Sequence, residues 1–230
     1  MFYIISLGGS VIVPDKIDIE FLKRFKKLIL NRVKKGDHFI IVTGGGMTAR
    51  NYQNAARAIG GGITEDFDWL GIHSTRLNGH LLATIFRTNC QKKIITDPIK
   101  DQIEAGKKIV VAAGWRPGWS TDYVCTILAK KYKIKTIINL SNISCICNKD
   151  PRKFKDAKPL GNLNWKEFKK ICGGKWRPGL NSPFDPVASR LTEKLKIKVL
   201  VIQGNDLVNF ESFLSGNNFK GTVIENKKQA

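Results

Sequence analysis

The stretch Met1–Ser10, MFYIISLGGS, runs from an apolar segment straight into Gly8-Gly9-Ser10. Residues 2–7 read as a buried strand, and continuously apolar strands of this kind belong to parallel sheets covered on both faces. A glycine turn after such a strand lets backbone N–H groups approach a polyanion, as in a phosphate cradle. No Lys or Arg precedes Lys16. Positive charge for such a cradle must therefore come from elsewhere in the chain.

The same arrangement recurs twice. The strand His38–Thr43 meets Gly44-Gly45-Gly46, and a strand at 108–113 meets GWRPGWSTD, residues 114–122. In doubly wound sheets ligands bind at the carboxyl ends of strands, so three glycine turns in one chain point to a phosphate-rich ligand. Two familiar solutions are excluded. There is no GxxxxGK[ST] of a P-loop, and no GxGxxG with an acidic residue about 20 positions on.

Helices alternate with these strands. Asp18 caps a helix that carries Phe21, Phe25, Leu28, Ile29 and Val33 on one face and stops at Gly36. Further helices are predicted at about 48–58, 66–90, 120–132, 183–195 and 207–214, with a short one at 165–171. Strands are predicted at 93–96, 135–140, 198–203 and 221–225, and a hairpin within 143–182. The expected fold is α/β, a three-layer sandwich with a mostly parallel central sheet.

The chain has 230 residues, 42% of them hydrophobic, enough for one large domain with a substantial core. The N-terminus is apolar from residue 2 with no basic n-region, so it reads as a strand and not as a signal peptide. No apolar run is long enough to span a membrane. The five cysteines, Cys90, Cys125, Cys145, Cys147 and Cys172, form no CxxC pair. They read as free thiols in a reducing cytoplasm. His73 and His80 lie two helical turns apart, about 10 Å, too far to share a metal, and read as interface or core residues. The net charge is +20, with 29 lysines among 39 basic residues. That balance favours a polyanionic partner, although the lysines are spread along the chain and many decorate solvated helix faces.

Taken together, the strand with GGS, VTGGGMTARNY (42–52), DWLGIHSTRLNGHLL (68–82), GWRPGWSTD (114–122), NKDP (148–151) and SPFDPVASRL (182–191) resemble the archaeal type of uridylate (UMP) kinase, of amino-acid-kinase fold. The resemblance covers residues 2–225. It implies one amino-acid-kinase domain over 1–225, with an acceptor-side lobe at about 1–130, an ATP-side lobe at about 131–225, and a flexible tail at 226–230. It implies transfer of the γ-phosphoryl of MgATP to UMP, with Mg²⁺ held on ATP and no dedicated protein metal site. The expected form is a cytoplasmic homo-oligomer, a hexamer by resemblance.

Carried over residue by residue, the resemblance puts Gly9, Ser10, Gly46 and Arg50 on the ATP phosphates and Ser141, Cys147 and Asp150 around ATP's base and ribose. Gly45, Asp68 and the loop Trp115, Arg116, Pro117, Gly118, Trp119, Ser120 and Thr121 fall around UMP. Asp122 and Arg50 are the catalytic candidates. The residues themselves agree in part. Arg50 lies one turn into a helix that opens at three glycines, where a guanidinium can fork onto phosphate oxygens. Asp68 opens a long helix, where a carboxylate is also favoured by the dipole alone. Ser120 suits an N-cap, and Trp115 and Trp119 suit either a base stack or a packed loop.

Three positions depart from the family pattern. Bacterial members carry Lys, and some archaeal members Asp, where this chain has Ser6. The family's NVDGVY is Asn142-Ile143-Ser144-Cys145-Ile146-Cys147 here, and Met47 follows the triple glycine. Two rival readings follow. One is the same fold with another acceptor, such as N-acetylglutamate, a carbamate or isopentenyl phosphate. The other is a catalytically weakened nucleotide- or RNA-binding homologue that uses the positive charge.

Overall fold

The computed structural model describes residues 1–151, 153–172 and 183–226. The element order is β1 (Phe2–Leu7), α1 (Gly9–Ile12), α2 (Ile19–Lys34), β2 (His38–Thr43), α3 (Gly46–Ala58), α4 (Thr64–Phe86), β3 (Ile109–Ala112), α5 (Thr121–Lys131) and β4 (Thr136–Ser141). Then come β5 (Ile146–Cys147), β6 (Pro159–Leu160), β7 (Asn162–Asn164), α6 (Trp165–Cys172), α7 (Pro186–Lys194), β8 (Lys198–Gln203), α8 (Leu207–Leu214) and β9 (Thr222–Glu225). One seven-stranded sheet has the order β3-β2-β1-β4-β8-β9-β7, and β5 and β6 form a separate hairpin. The pairs from β3 through β8 are all parallel, whereas β9 runs antiparallel to β8.

The sheet is buried on both faces because its strands alternate between two apolar layers. Tyr3, Ile5 and Leu7 of β1 pack with Phe21, Phe25 and Ile29 of α2, Leu82 and Phe86 of α4, and Phe210 of α8. Ile4 points the other way, with Ile40, Ile137 and Val199, toward Val124 and Leu128 of α5, Phe168 of α6 and Ala188 of α7. These layers are the three-layer α/β sandwich expected. Asp18 caps α2 by accepting from Phe21 N at 2.8 Å, an interaction worth about 1 kcal/mol.

Several boundaries differ from the sequence-based expectations. Residues 93–96 do not form a strand; only Ile95 bridges, to Ala112. α4 begins at Thr64 and ends at Phe86, so Asp68 sits in its second turn and not at its opening. α7 starts at Pro186, capped by Asp185 through Ala188 N, and not at Pro183. The four-residue α1 and the edge strand β7 carry too few residues to show a period. The C-terminal 227–230 and Ser182 of the SPFDP motif lie outside the described residues.

The first two glycine turns touch through backbone alone. A Cβ on Gly9 would overlap Gly46 N and lie 2.6 Å from Gly44 C and Gly45 N. Gly46 has φ +64, a region that β-carbon-bearing residues avoid. Gly9→Ala should therefore cost about 1–3 kcal/mol of stability by forcing the turns apart. Gly161, with open space around it, serves as control: Gly161→Ala should change the urea midpoint little, and equal effects of the two changes would contradict this packing.

Candidate active site

The C-terminal ends of β1 and β2 continue their ladder into the glycine turns. Gly8 N donates to Leu140 O at 2.8 Å and Gly44 N to Leu7 O at 2.9 Å. The turn after β1 then winds into α1, while Gly46 opens α3 with Gly45 as its N-cap, and no side chain caps either helix. The 13-residue α3 thus presents a positive dipole end without a side-chain cap, although Met47 N donates to Val13 O at 2.9 Å. Gly9, Ser10, Gly45 and Gly46 are brought together, as expected of a phosphate cradle. Arg50, one turn into α3, is exposed, and its guanidinium has no hydrogen-bond partner among the described residues.

α4 holds the cradle from beneath. Asn78, only 3% exposed, donates through Nδ2 to Gly44 O at 2.8 Å and Gly45 O at 3.2 Å. The same helix carries the turn after β3. Thr75 Oγ1 accepts from Gly114 N at 2.8 Å, and Arg76 donates to Gly114 O at 3.2 Å and Trp115 O at 2.8 Å. Asp68 Oδ2 accepts from Gly118 N at 2.8 Å. One helix therefore positions both turns assigned to the acceptor. Asp68 joins the 114–121 loop as expected, but through a backbone hydrogen bond across 50 residues and not as a helix-opening charge.

Within that loop, Trp115 and Trp119 pack on each other with ring centroids 6.1 Å apart, and Trp119 lies 4.0 Å from Tyr123. The Arg116 guanidinium sits 4.1 Å above Trp115 and 5.8 Å from Trp119. The packed-loop reading of the two tryptophans holds in this conformation. Ser120 caps α5, accepting from Tyr123 N at 3.2 Å. His73 and His80 are both exposed, which removes their core reading.

The most informative cluster was not anticipated. Ser6, a polar residue in β1, donates its hydroxyl to Asp122 Oδ1 at 2.9 Å. Asp122 Oδ2 accepts from Asp185 N at 3.0 Å, and Asp185 Oδ1 caps α7 through Ala188 N at 2.7 Å. Thr126 and Thr192 join α5 to α7 at 2.8 Å behind this contact. Burial lifts Asp122 to about 6, helped by the nearby Asp185 charge and opposed by hydrogen bonds from the Asp185 amide and Ser6. Burial likewise raises Asp185. The Ser6 hydroxyl and the Asp185 amide thus supply hydrogen bonds to this buried carboxyl, at 2.9 Å and 3.0 Å. Ser6 and Asp122 each stood out in the sequence, but not their pairing, which spans 116 residues.

The remaining expected residues flank β4. Ser141 ends β4 beside Gln203 of β8, and its Oγ accepts from Ile143 N at 3.4 Å. Cys147 pairs with Pro159 in the hairpin, and Asp150 anchors the turn after it, its carbonyl accepting from Lys153 N and Phe154 N at 3.0 Å. Among the described residues no group of three His, Cys, Asp or Glu side chains could hold a metal ion.

Comparison with known proteins places this geometry. Residues 1–203 match the model of the amino acid kinase family. The chain is 34% identical to a uridylate kinase of Thermoplasma volcanium over 97% of both chains. It is 35% identical to one of Methanospirillum hungatei, over 96% of this chain and 93% of that relative. Among solved structures, a uridylate kinase from Archaeoglobus fulgidus superposes with a TM-score of 0.83 at 31% identity, covering 97% of this chain and all of the other.

The raised Asp122 has a consequence for stability. Its folded pKa of about 6 exceeds the usual value near 4, so the fold favours the protonated carboxyl. That contribution is full below about pH 4 and is lost as pH rises through about 6. Thermal melts should show wild type losing on the order of 2 kcal/mol relative to Asp122→Asn between pH 4 and pH 8. Parallel pH profiles for the two proteins would rule the reading out.

Proposed function

This chain belongs to the amino acid kinase family, and we propose that it is a UMP kinase that transfers the ATP γ-phosphoryl group to UMP, giving UDP. The observation that carries the reading is the backbone contact between Gly9 and Gly44–Gly46. It merges two strand-end turns into one cradle, so that donor and acceptor phosphates lie side by side. Phosphoryl transfer needs in-line positioning and charge neutralisation more than a strong base. The near-full-length likeness to uridylate kinases favours UMP over other acceptors of the same fold.

In this reading Gly9, Ser10 and Gly46 offer backbone N–H groups to ATP, and Gly45 to the UMP phosphate. Arg50 is catalytic: its guanidinium, without a hydrogen-bond partner among the described residues, reaches the phosphates and offsets charge that β1 does not supply. Asp68 and the 114–121 loop enclose the nucleoside of UMP, and Ser141, Cys147 and Asp150 that of ATP. Asp122, the other catalytic residue, organises the cationic groups around the transferring phosphoryl and ties β1 to α7. Mg²⁺ enters with ATP and neutralises phosphate oxygens. The acceptor-side and ATP-side lobes divide near residue 130, between α5 and β4.

We read the protein further as a cytoplasmic homo-oligomer, a hexamer by resemblance. Support comes from α3, which buries no residue within the chain and leaves Tyr52 and Ile59 63% and 87% exposed. No helix among the described residues is long and apolar enough to cross a membrane.

In a panel of acceptors with ATP and Mg²⁺, UMP should give the fastest ADP release; equal release without UMP would sink the assignment. Arg50→Ala should lower kcat/KM for UMP phosphorylation about 100-fold, roughly 2.7 kcal/mol of transition-state stabilisation. Because Arg50 is exposed and has no hydrogen-bond partner among the described residues, its melting temperature should hardly move. An active Arg50→Ala enzyme would remove it from the site.

A further inference from the structure

The catalytic reading uses the carboxyl ends of the strands and leaves the opposite end of the sheet unexplained. A short motif repeats there. Lys131-Tyr132-Lys133-Ile134-Lys135 leads into β4, and Lys194-Leu195-Lys196-Ile197-Lys198 leads into β8. The strands are adjacent and parallel, and Lys198 N donates to Lys135 O at 2.9 Å. The two motifs therefore lie side by side.

The backbone of both motifs is the same. Ile134 N reaches back to Ala129 O at 2.9 Å and Ile197 N to Thr192 O at 3.0 Å, which closes each helix with a left-handed residue. Those residues are Lys133, φ 55, and Lys196, φ 53, the only non-glycine residues with positive φ among the described residues. After α2, α3 and α8 the equivalent position is Gly36, Gly60 and Gly216. Glycine is the low-strain choice there, and the chain uses it three times. Strain that persists at a matched pair of positions is a pointer to function.

Helix-dipole complementarity explains lysines in a last helical turn, such as Lys130 and Lys194. It does not explain Lys133, Lys135, Lys196 and Lys198, which lie beyond the helices. None of these four is in an ion pair among the described residues. The nearby acids are engaged elsewhere: Glu193 pairs with Lys169 at 2.7 Å, and Asp37 with Arg32 on the far side of β1. Beside the first motif a cavity of about 580 Å³ opens at the start of β1 and β4, lined by Phe2, Tyr3, Tyr132, Phe213, Lys133 and Lys135. Phe2 is 41% exposed and stacks on His38 with centroids 5.0 Å apart. The strands place this end about 20 Å from the phosphate cradle.

Rows of cations with no ion-pair partner among the described residues, beside an aromatic-lined hollow, are the elements of a single-strand nucleic-acid site, where lysines follow the backbone and bases stack on rings. We propose that this end of the sheet binds single-stranded nucleic acid, with the paired lysines on successive phosphates and a base in the aromatic cavity. This surface is separate from the kinase site and accounts for part of the +20 charge that the kinase reading does not use. The concave aromatic floor argues for a base-bearing polymer over a lipid surface.

The test is fluorescence anisotropy of the full chain with a labelled 20-nucleotide oligo-uridylate and its thymidylate counterpart. Four phosphate contacts predict a log–log salt slope of about −3, or roughly 50-fold weaker binding from 50 to 200 mM salt. Lys133→Gly/Lys196→Gly should weaken binding tenfold or more and reduce the slope by about 1.4. The same variant should melt no lower than wild type, because the left-handed strain is relieved, and should keep its UMP kinase rate. Lys135→Glu/Lys198→Glu should abolish binding. The proposal is overturned by no binding at 50 mM salt, or by unchanged affinity in the glycine variant. It is equally overturned if inorganic polyphosphate or an abasic oligomer of equal length binds as tightly, or if phosphatidylserine vesicles are captured and the oligonucleotides are not.

Discussion

The site rests on a backbone-to-backbone contact. Gly9 and the Gly44–Gly46 turn lie closer than any side chain would allow, and that contact fixes two strand ends and the N-terminus of α3 around one space. Its rigidity comes from both sides. The ladder of the parallel sheet runs into the turns through Gly8 and Gly44, and Asn78 on α4 satisfies the two carbonyls that the turn after β2 leaves free. A buried amide that satisfies two backbone acceptors costs more to lose than it contributes net, so α4 and the cradle are locked together.

The second constraint is the link from Ser6 through Asp122 to Asp185. It joins β1, α5 and α7, elements far apart in the chain. Ser6 donates to a carboxyl whose pKa burial raises to about 6.

Much of this was legible in the sequence, for identifiable reasons. β8 and α8 match their predicted spans because an apolar run and a capped amphipathic turn have unambiguous borders at Lys198–Gln203 and Leu207–Leu214. The three glycine turns were legible because glycine after a buried strand has few uses. Residues 93–96 looked like a strand but make only one bridge, since local apolarity says nothing about having a neighbour to pair with. Thr75, Arg76 and Asn78 were hidden within an amphipathic helix, where polar residues read as solvated. The partnership of Ser6 with Asp122 needed the fold, because no local period connects residues so far apart. The lysine pair at the start of β4 and β8 was visible only as net charge until backbone angles singled out Lys133 and Lys196.

The central claim is that one cradle, formed by turns in backbone contact, holds donor and acceptor phosphates together. Calorimetric titration with adenosine and uridine joined 5′ to 5′ through a pentaphosphate tests it most directly. The account predicts one analogue bound per chain, at least about 100-fold tighter than either ATP or UMP alone, with both nucleotides excluded once it is bound. An affinity no better than that of the stronger single nucleotide, with the other still able to bind, would show two separate sites and contradict the account.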